Sequence, residues 1–218
     1  MIEENTEPGQ IVILNGAPRS GKSSIVAAIQ DILEGPWMNL GVDVYSGHVT
    51  PQQYRPGIGL RPGGERPDLE PFVQIFYAAL YESIRAHSRL GLNVVVDVGH
   101  HDAYRTPLGI LGDGARRLAG LPVLFVGVRC PIEVIMARRT AVEAGREGHY
   151  VTAPAGASPP EPVQRWQDEV HRGKLYDLEV DTASMSPAAC ARLIRQRLKR
   201  TVASPTAFQR LAAGNCAR

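Results

Sequence analysis

Residues 11–24 read IVILNGAPRSGKSS, and no other stretch constrains the chain as strongly. Gly16, four free positions and then Gly21-Lys22-Ser23 make the pattern G-x-x-x-x-G-K-[ST] of a phosphate-binding loop. The flanks suit it. Ile11, Val12, Ile13 and Leu14 are a short apolar run fit for a buried parallel strand. Beyond the loop, Ile25, Val26, Ile29, Ile32 and Leu33 recur at helical spacing. The two glycines let the backbone fold back so that its N–H groups converge, and the helix aims its positive end at the same point. A polyphosphate fits such a concavity. Gly16, Ala17, Pro18, Arg19, Ser20, Gly21, Lys22, Ser23 and Ser24 would line it. Lys22 would neutralise the β- and γ-phosphates, and the Ser23 hydroxyl would hold Mg²⁺. A plain serine-capped glycine turn is the alternative. Against it, only Lys22, Lys174 and Lys199 are lysines, and one of them falls on the motif position.

Four further strands are expected: Trp37 to Val42, Asn93 to Val98, Pro122 to Val128 and Tyr176 to Val180. Helical patterns lie at about 21–34, 69–89, 102–119, 131–145, 161–171 and 187–200. Strands alternating with helices predict right-handed crossovers and a parallel sheet covered on both faces. The expected fold class is therefore α/β, a P-loop three-layer α/β/α domain with a five-stranded parallel sheet. One domain spans residues 1–200, with no internal repeat, and 201–218 read as a loosely held tail. Two stretches rich in proline and glycine interrupt the pattern. Residues 46–68 fall where a substrate pocket would be built, and 138–162 suit a lid. Gly57-Ile58-Gly59 is set aside as a dinucleotide fingerprint because no strand precedes it.

The formal net charge of +2 is too small to argue for nucleic acid. The basic cluster Arg192, Arg195, Arg197, Lys199 and Arg200 reads as a solvated helix face. Cys130, Cys190 and Cys216 are odd in number and unpaired in spacing, which suggests a reducing compartment without disulfides or zinc. Residues 1–9 do not resemble a signal peptide, and no apolar run reaches membrane-spanning length. A cytoplasmic protein with no membrane partner is expected. Whether copies form a homo-oligomer is left open.

Ligands of open parallel sheets bind beyond the carboxyl ends of the strands. Asp97 ends the third strand in the Walker-B manner and would orient Mg²⁺. Asp43 ends the second and is the candidate general base toward an acceptor hydroxyl. Arg138, Arg139 and Arg146, on or after the helix behind the fourth strand, would close over the triphosphate. His100 and His101 read first as solvated loop histidines, with contact to the acceptor as the alternative.

These residues together resemble the chloramphenicol phosphotransferases, P-loop kinases that phosphorylate the primary hydroxyl of an antibiotic. The matching stretches are Ile13-Leu14-Asn15-Gly16 with Gly21-Lys22-Ser23; Pro36-Trp37 with Gly41-Val42-Asp43; Val94 to Asp97; Val126 to Cys130; and Val170-His171, Gly173, Tyr176-Asp177 with Glu179 to Thr182. The resemblance implies a fold like that of nucleotide and shikimate kinases, Mg·ATP as donor, a small-molecule hydroxyl as acceptor and Asp43 as base. The chain departs from the family in Val98, where a second acid is common, in Pro18-Arg19 within the loop, and in a longer segment after Arg139. A sugar nucleotide or a nucleoside as acceptor, an ATP-hydrolysing switch, and a nucleotide-binding module without turnover are the competing readings. The absence of N-K-x-D counts against GTP.

Overall fold

The computed structural model describes residues 7–54, 67–104, 106–141, 157–200 and 205–214. Five strands form one parallel sheet: β1 (Ile11–Asn15), β2 (Trp37–Asn39), β3 (Asn93–Val98), β4 (Val123–Arg129) and β5 (Leu178–Asp181), in the order β2-β3-β1-β4-β5. β1 is central, and all five of its residues are buried. Its register pairs Ile11 with Val94 and Val123, and Asn15 with Val98 and Gly127. The order reverses on either side of β1, so the loop leaving β1 opens at a switch point of the sheet.

Strand alternation sends successive side chains to opposite layers. Val12 and Leu14 face α1 (Lys22–Ile32) and the α-helix Pro187–Lys199, packing on Ile25, Ile29, Cys190 and Ile194. Ile11 and Ile13 face the other layer, where the long helix Glu70–Arg89 contributes Val73, Tyr77, Leu80, Tyr81 and Ile84. In chain order the helices are α1, α2 (Val42–His48), α3 (Glu70–Arg89), α4 (Ile110–Arg117), α5 (Ile132–Thr140), α6 (Glu161–Glu169), α7 (Pro187–Lys199) and α8 (Ala207–Ala212) among the described residues. None of them is long and apolar enough to cross a membrane.

Four expectations change. The second strand stops at Asn39 instead of Val42. Leu40 N–H still reaches Val95 O at 3.1 Å, but Gly41 N–H turns back to Asn39 Oδ1 at 3.0 Å. Residues 42–48 then form α2, a helix the pattern did not predict, and Asp43 lies in its first turn instead of on a strand end. The helix expected from 102 begins only at Ile110, after Pro107 and a left-handed Gly109 with φ 62°. The last strand begins at Leu178, because Tyr176 lies flat across β4. A Cβ on Gly127 would stand 2.7 Å from its ring, so only glycine allows that crossing. Finally, the expected loose tail contains α8. Thr206 and Gln209 close a capping box. Phe208 meets Phe125 edge-on at 5.2 Å, and Ala207 N–H donates to Asp177 Oδ1 at 2.8 Å.

Candidate active site

The loop between β1 and α1 turns twice through left-handed backbone, at Arg19 (φ 68°) and Gly21 (φ 94°). α1 starts at Lys22, so its first N–H groups open into the loop. Gly16, Ala17 and Ser20 are buried, Pro18, Arg19, Gly21 and Lys22 half-buried, and Ser23 and Ser24 exposed. Lys22 Nζ donates to the carbonyls of Gly16 and Ala17, both at 2.9 Å. Burial lowers the pKa of this amine, and the charges of Asp97 and then Asp43 push it back up. The charges of Asp97 and Asp43 therefore both reach the Lys22 amine.

Ser23 Oγ donates to Asp97 Oδ2 at 2.9 Å. These are the two oxygen groups that could hold Mg²⁺. Asp97 is 7% exposed and lies hard against the backbone of Gly41: a Cβ there would stand 1.7 Å from Oδ1. Gly41 thus belongs to the site, and its place beside the carboxylate is invisible in the sequence. Asp43, two residues on, is exposed in the first turn of α2.

Arg138 lies at the loop from the β5 side. Its Nη1 donates to Thr182 Oγ1 at 3.1 Å and to Arg19 O at 3.3 Å, and its Nη2 donates to Thr182 O at 2.8 Å. Thr182 Oγ1 in turn donates to Ser20 O at 2.7 Å, and Arg19 Nε donates to Arg138 O at 3.0 Å. In this arrangement Arg138 serves the loop backbone, which gives it a structural part beyond the expected one. Arg139 is buried at the end of α5. Arg146, the 55–66 part of the first long loop and residues 142–156 of the expected lid lie outside the described residues.

The histidines correct the sequence reading of solvated loop groups. Both are 3% exposed. His100 Nε2 is 2.7 Å from Tyr81 Oη, and its ring packs on Tyr77 at 4.9 Å. Burial, with the charges of Lys174 and His101, drives its pKa down to about 3. His101 stacks on Tyr104 at 4.5 Å. Tyr77 has its phenol pKa raised by burial and by the charge of Asp43. Tyr104 is raised by burial first, with Tyr77, Asp102 and Glu70 adding to it. Tyr77, Tyr104 and His101 thus form an aromatic wall, in which Tyr77 feels the charge of Asp43 and Tyr104 that of Glu70.

Asn15 is a further residue that the motif reading passed over. It is fully buried directly before Gly16. Its Oδ1 accepts from His100 N–H at 2.7 Å, and its Nδ2 donates to Val170 O and Tyr176 Oη, both at 2.9 Å. Tyr176 Oη also meets His171 Nδ1 at 2.7 Å. One amide therefore holds the segment after β3 and the segment after α6 against the start of the loop. The only signal for it in the sequence is an asparagine where the strand would otherwise be apolar. A separate groove of about 380 Å³ between α3 and α4 shares no residue with this site.

Residues 9–199 match the family described as chloramphenicol phosphotransferase-like protein. A Mycobacterium tuberculosis protein carrying a provisional O-phosphotransferase name is 27% identical over 216 residues, spanning 93% of this chain and 88% of the relative. Among solved structures, the Mycobacterium tuberculosis APS kinase in complex with AMPPNP and APS aligns with TM-score 0.55 and 16% identity, over 88% of this chain and 99% of that one. A tunicamycin resistance protein of Deinococcus radiodurans aligns with TM-score 0.54 and 16% identity, over 90% and 99%. A gluconokinase of Sinorhizobium meliloti aligns with TM-score 0.51 and 24% identity, over 96% and 97%. At these identities the structural likenesses speak for the fold alone, which is that of P-loop kinases.

Proposed function

We propose a donor and an acceptor for this chain, which belongs to the chloramphenicol phosphotransferase-like family and is a phosphotransferase acting on a small molecule: it moves the terminal phosphate of Mg·ATP to a hydroxyl group. Chloramphenicol's primary hydroxyl, the acceptor that gives the family its name, is the first candidate, and antibiotic resistance the corresponding role. The observation that carries this reading is the Ser23–Asp97 hydrogen bond beside Lys22 on one glycine loop at the switch point of the sheet, with the charge of Asp43 also felt by the Lys22 amine.

The residues present fit a magnesium nucleotide. The loop offers main-chain N–H groups and a lysine whose amine rests on two carbonyls that a phosphate oxygen would outcompete. Ser23 and Asp97 supply the hard oxygen pair that Mg²⁺ prefers. When bound, the metal would offset charge on the phosphates. Lys22 would turn from Gly16 and Ala17 onto the phosphate oxygens. Thr182 and Arg138 would keep the loop in its two left-handed turns while that happens. Asp43, exposed on the acceptor side, would take the proton of the attacking hydroxyl. The aromatic wall of Tyr77, Tyr104 and His101 would hold the body of the acceptor and keep water from competing.

Acceptor-dependent ADP release tests this reading. The expected result is release stimulated by chloramphenicol or another hydroxylated compound, with one phosphate gained on an oxygen of that compound by mass spectrometry. ADP release that no hydroxyl compound stimulates would replace the kinase reading with a hydrolytic one.

A further inference from the structure

Trp166 lies on α6, far in sequence from the phosphate loop. Its residue is 9% exposed, and its Nε1 is a buried donor with no hydrogen-bond partner among the described residues. An indole N–H can only donate, and leaving one buried and unpaired is costly and rare. The other tryptophan follows the rule: Trp37 Nε1 donates to Glu34 O at 3.2 Å.

The position of the orphan donor is informative. The chain leaves β3 at Val98, one residue after Asp97. Residue 99 is glycine, and a Cβ there would stand 3.3 Å from Trp166 Nε1 and 3.4 Å from Gly16 O. The indole edge therefore borders the space beside the first carbonyl of the phosphate loop, the carbonyl that Lys22 occupies. The ring shares a small apolar cluster with Ala17 of the loop. On its other side it meets His101 edge-on at 5.6 Å, and so joins the aromatic wall. It stands where the loop and the acceptor wall meet.

We propose that Trp166 Nε1–H donates a hydrogen bond to an oxygen of the nucleotide's terminal phosphoryl group. The proposal rests on the reading of residues 16–23 as a nucleotide cradle. The packing of the ring against Ala17 holds the donor beside the loop before the ligand arrives. It would also help tell a triphosphate from a diphosphate.

The test uses the full chain labelled with ¹⁵N. Two indole cross-peaks are expected, and the one lost in Trp166→Phe belongs to Trp166. Saturating Mg·AMPPNP should move that peak downfield while leaving the Trp37 peak in place. Mg·ADP should leave the Trp166 peak near its ligand-free position. By calorimetry, Trp166→Phe, which keeps an aromatic ring and deletes the donor, should weaken AMPPNP about tenfold and ADP not at all. If AMPPNP binds the wild type but shifts the Trp166 peak no more than ADP does, the donor role is wrong. Equal affinities of Trp166→Phe and wild type for AMPPNP would overturn it too. If neither nucleotide binds the wild type, the cradle reading itself fails, and this proposal falls with it.

Discussion

Gly41→Ala isolates the support of the Asp97 carboxylate, which we propose holds Mg²⁺. The Gly41 backbone has φ −58° and ψ 156°, a conformation any residue adopts, so alanine strains nothing locally. What it adds is one methyl group, 1.7 Å from Asp97 Oδ1 and 3.0 Å from Cγ. To reach even the shortest tolerable separation of 3.0 Å, the carboxylate must move by about 1.3 Å. Its bond to Ser23 is 2.9 Å long, and a shift of that size breaks it. Loss of a charge-assisted hydrogen bond removes about 1.5–3 kcal/mol locally, and misplacing a catalytic group by about 1 Å costs roughly 10²-fold in rate. Gly41→Ala should therefore lower ADP release about a hundredfold at fixed Mg²⁺, and more Mg²⁺ should be needed for half-maximal rate. Melting should change by only a few degrees, because the clash lies at the sheet's open end. The assay is a Mg²⁺ titration of coupled ADP release with the melting curve measured in parallel. A variant with wild-type rate and wild-type Mg²⁺ dependence would show that Asp97 does not need its present place, and the metal assignment would go with it.

Asp43→Asn should reduce kcat by roughly 10²–10⁴-fold with nucleotide affinity by calorimetry unchanged; near-normal turnover would remove Asp43 as base. His100 is held neutral in the fold, with its pKa down to about 3 from 6.5, so the unfolded chain binds the extra proton. Its contribution to stability is complete above pH 6.5 and is lost as pH falls toward 3, at up to about 1.4 kcal/mol per pH unit. Urea unfolding at pH 7.5 and 5 should show that slope, and it should flatten in His100→Gln. Phe208→Ala should cost about 3 kcal/mol and lower Tm by roughly 6–12 °C, because α8 is seated on Phe125; an unchanged Tm would return the chain end to the status of a tail.

What the sequence disclosed follows a physical division. β1, the loop and α1 were legible because strand, glycine loop and helix are contiguous, and each reinforces the reading of the next. β3 stood out as an unbroken run of β-branched residues ending in Asp97. α2 was illegible because Val42–His48 is seven residues long with a glycine inside it and no helical period. The over-long helix from 102 came from reading helical spacing through Pro107 and Gly109. The buried state of His100 was hidden because its partners, Tyr77 and Tyr81, stand on α3 and reach it only through the packed layer.

The same division explains which parts of the site pattern reasoning could not reach. Lys22 meets the carbonyls of Gly16 and Ala17, within a few residues of itself, so spacing along the chain carries that contact. Asn15, Gly41, Thr182 and Trp166 act on segments far away in the chain. Asn15 meets His100 and Val170, Gly41 makes room for Asp97, and Thr182 holds Ser20. Each of these contacts exists only because the parallel sheet gathers the carboxyl ends of its strands along one edge. Crossover connections set that edge from long stretches of chain, and spacing along the chain carries no trace of which loops end up facing each other. The glycine loop between β1 and α1 was therefore readable in one line of sequence. The device that holds the loop in shape and presents a donor beside it is a property of the sheet edge and appears only in the fold.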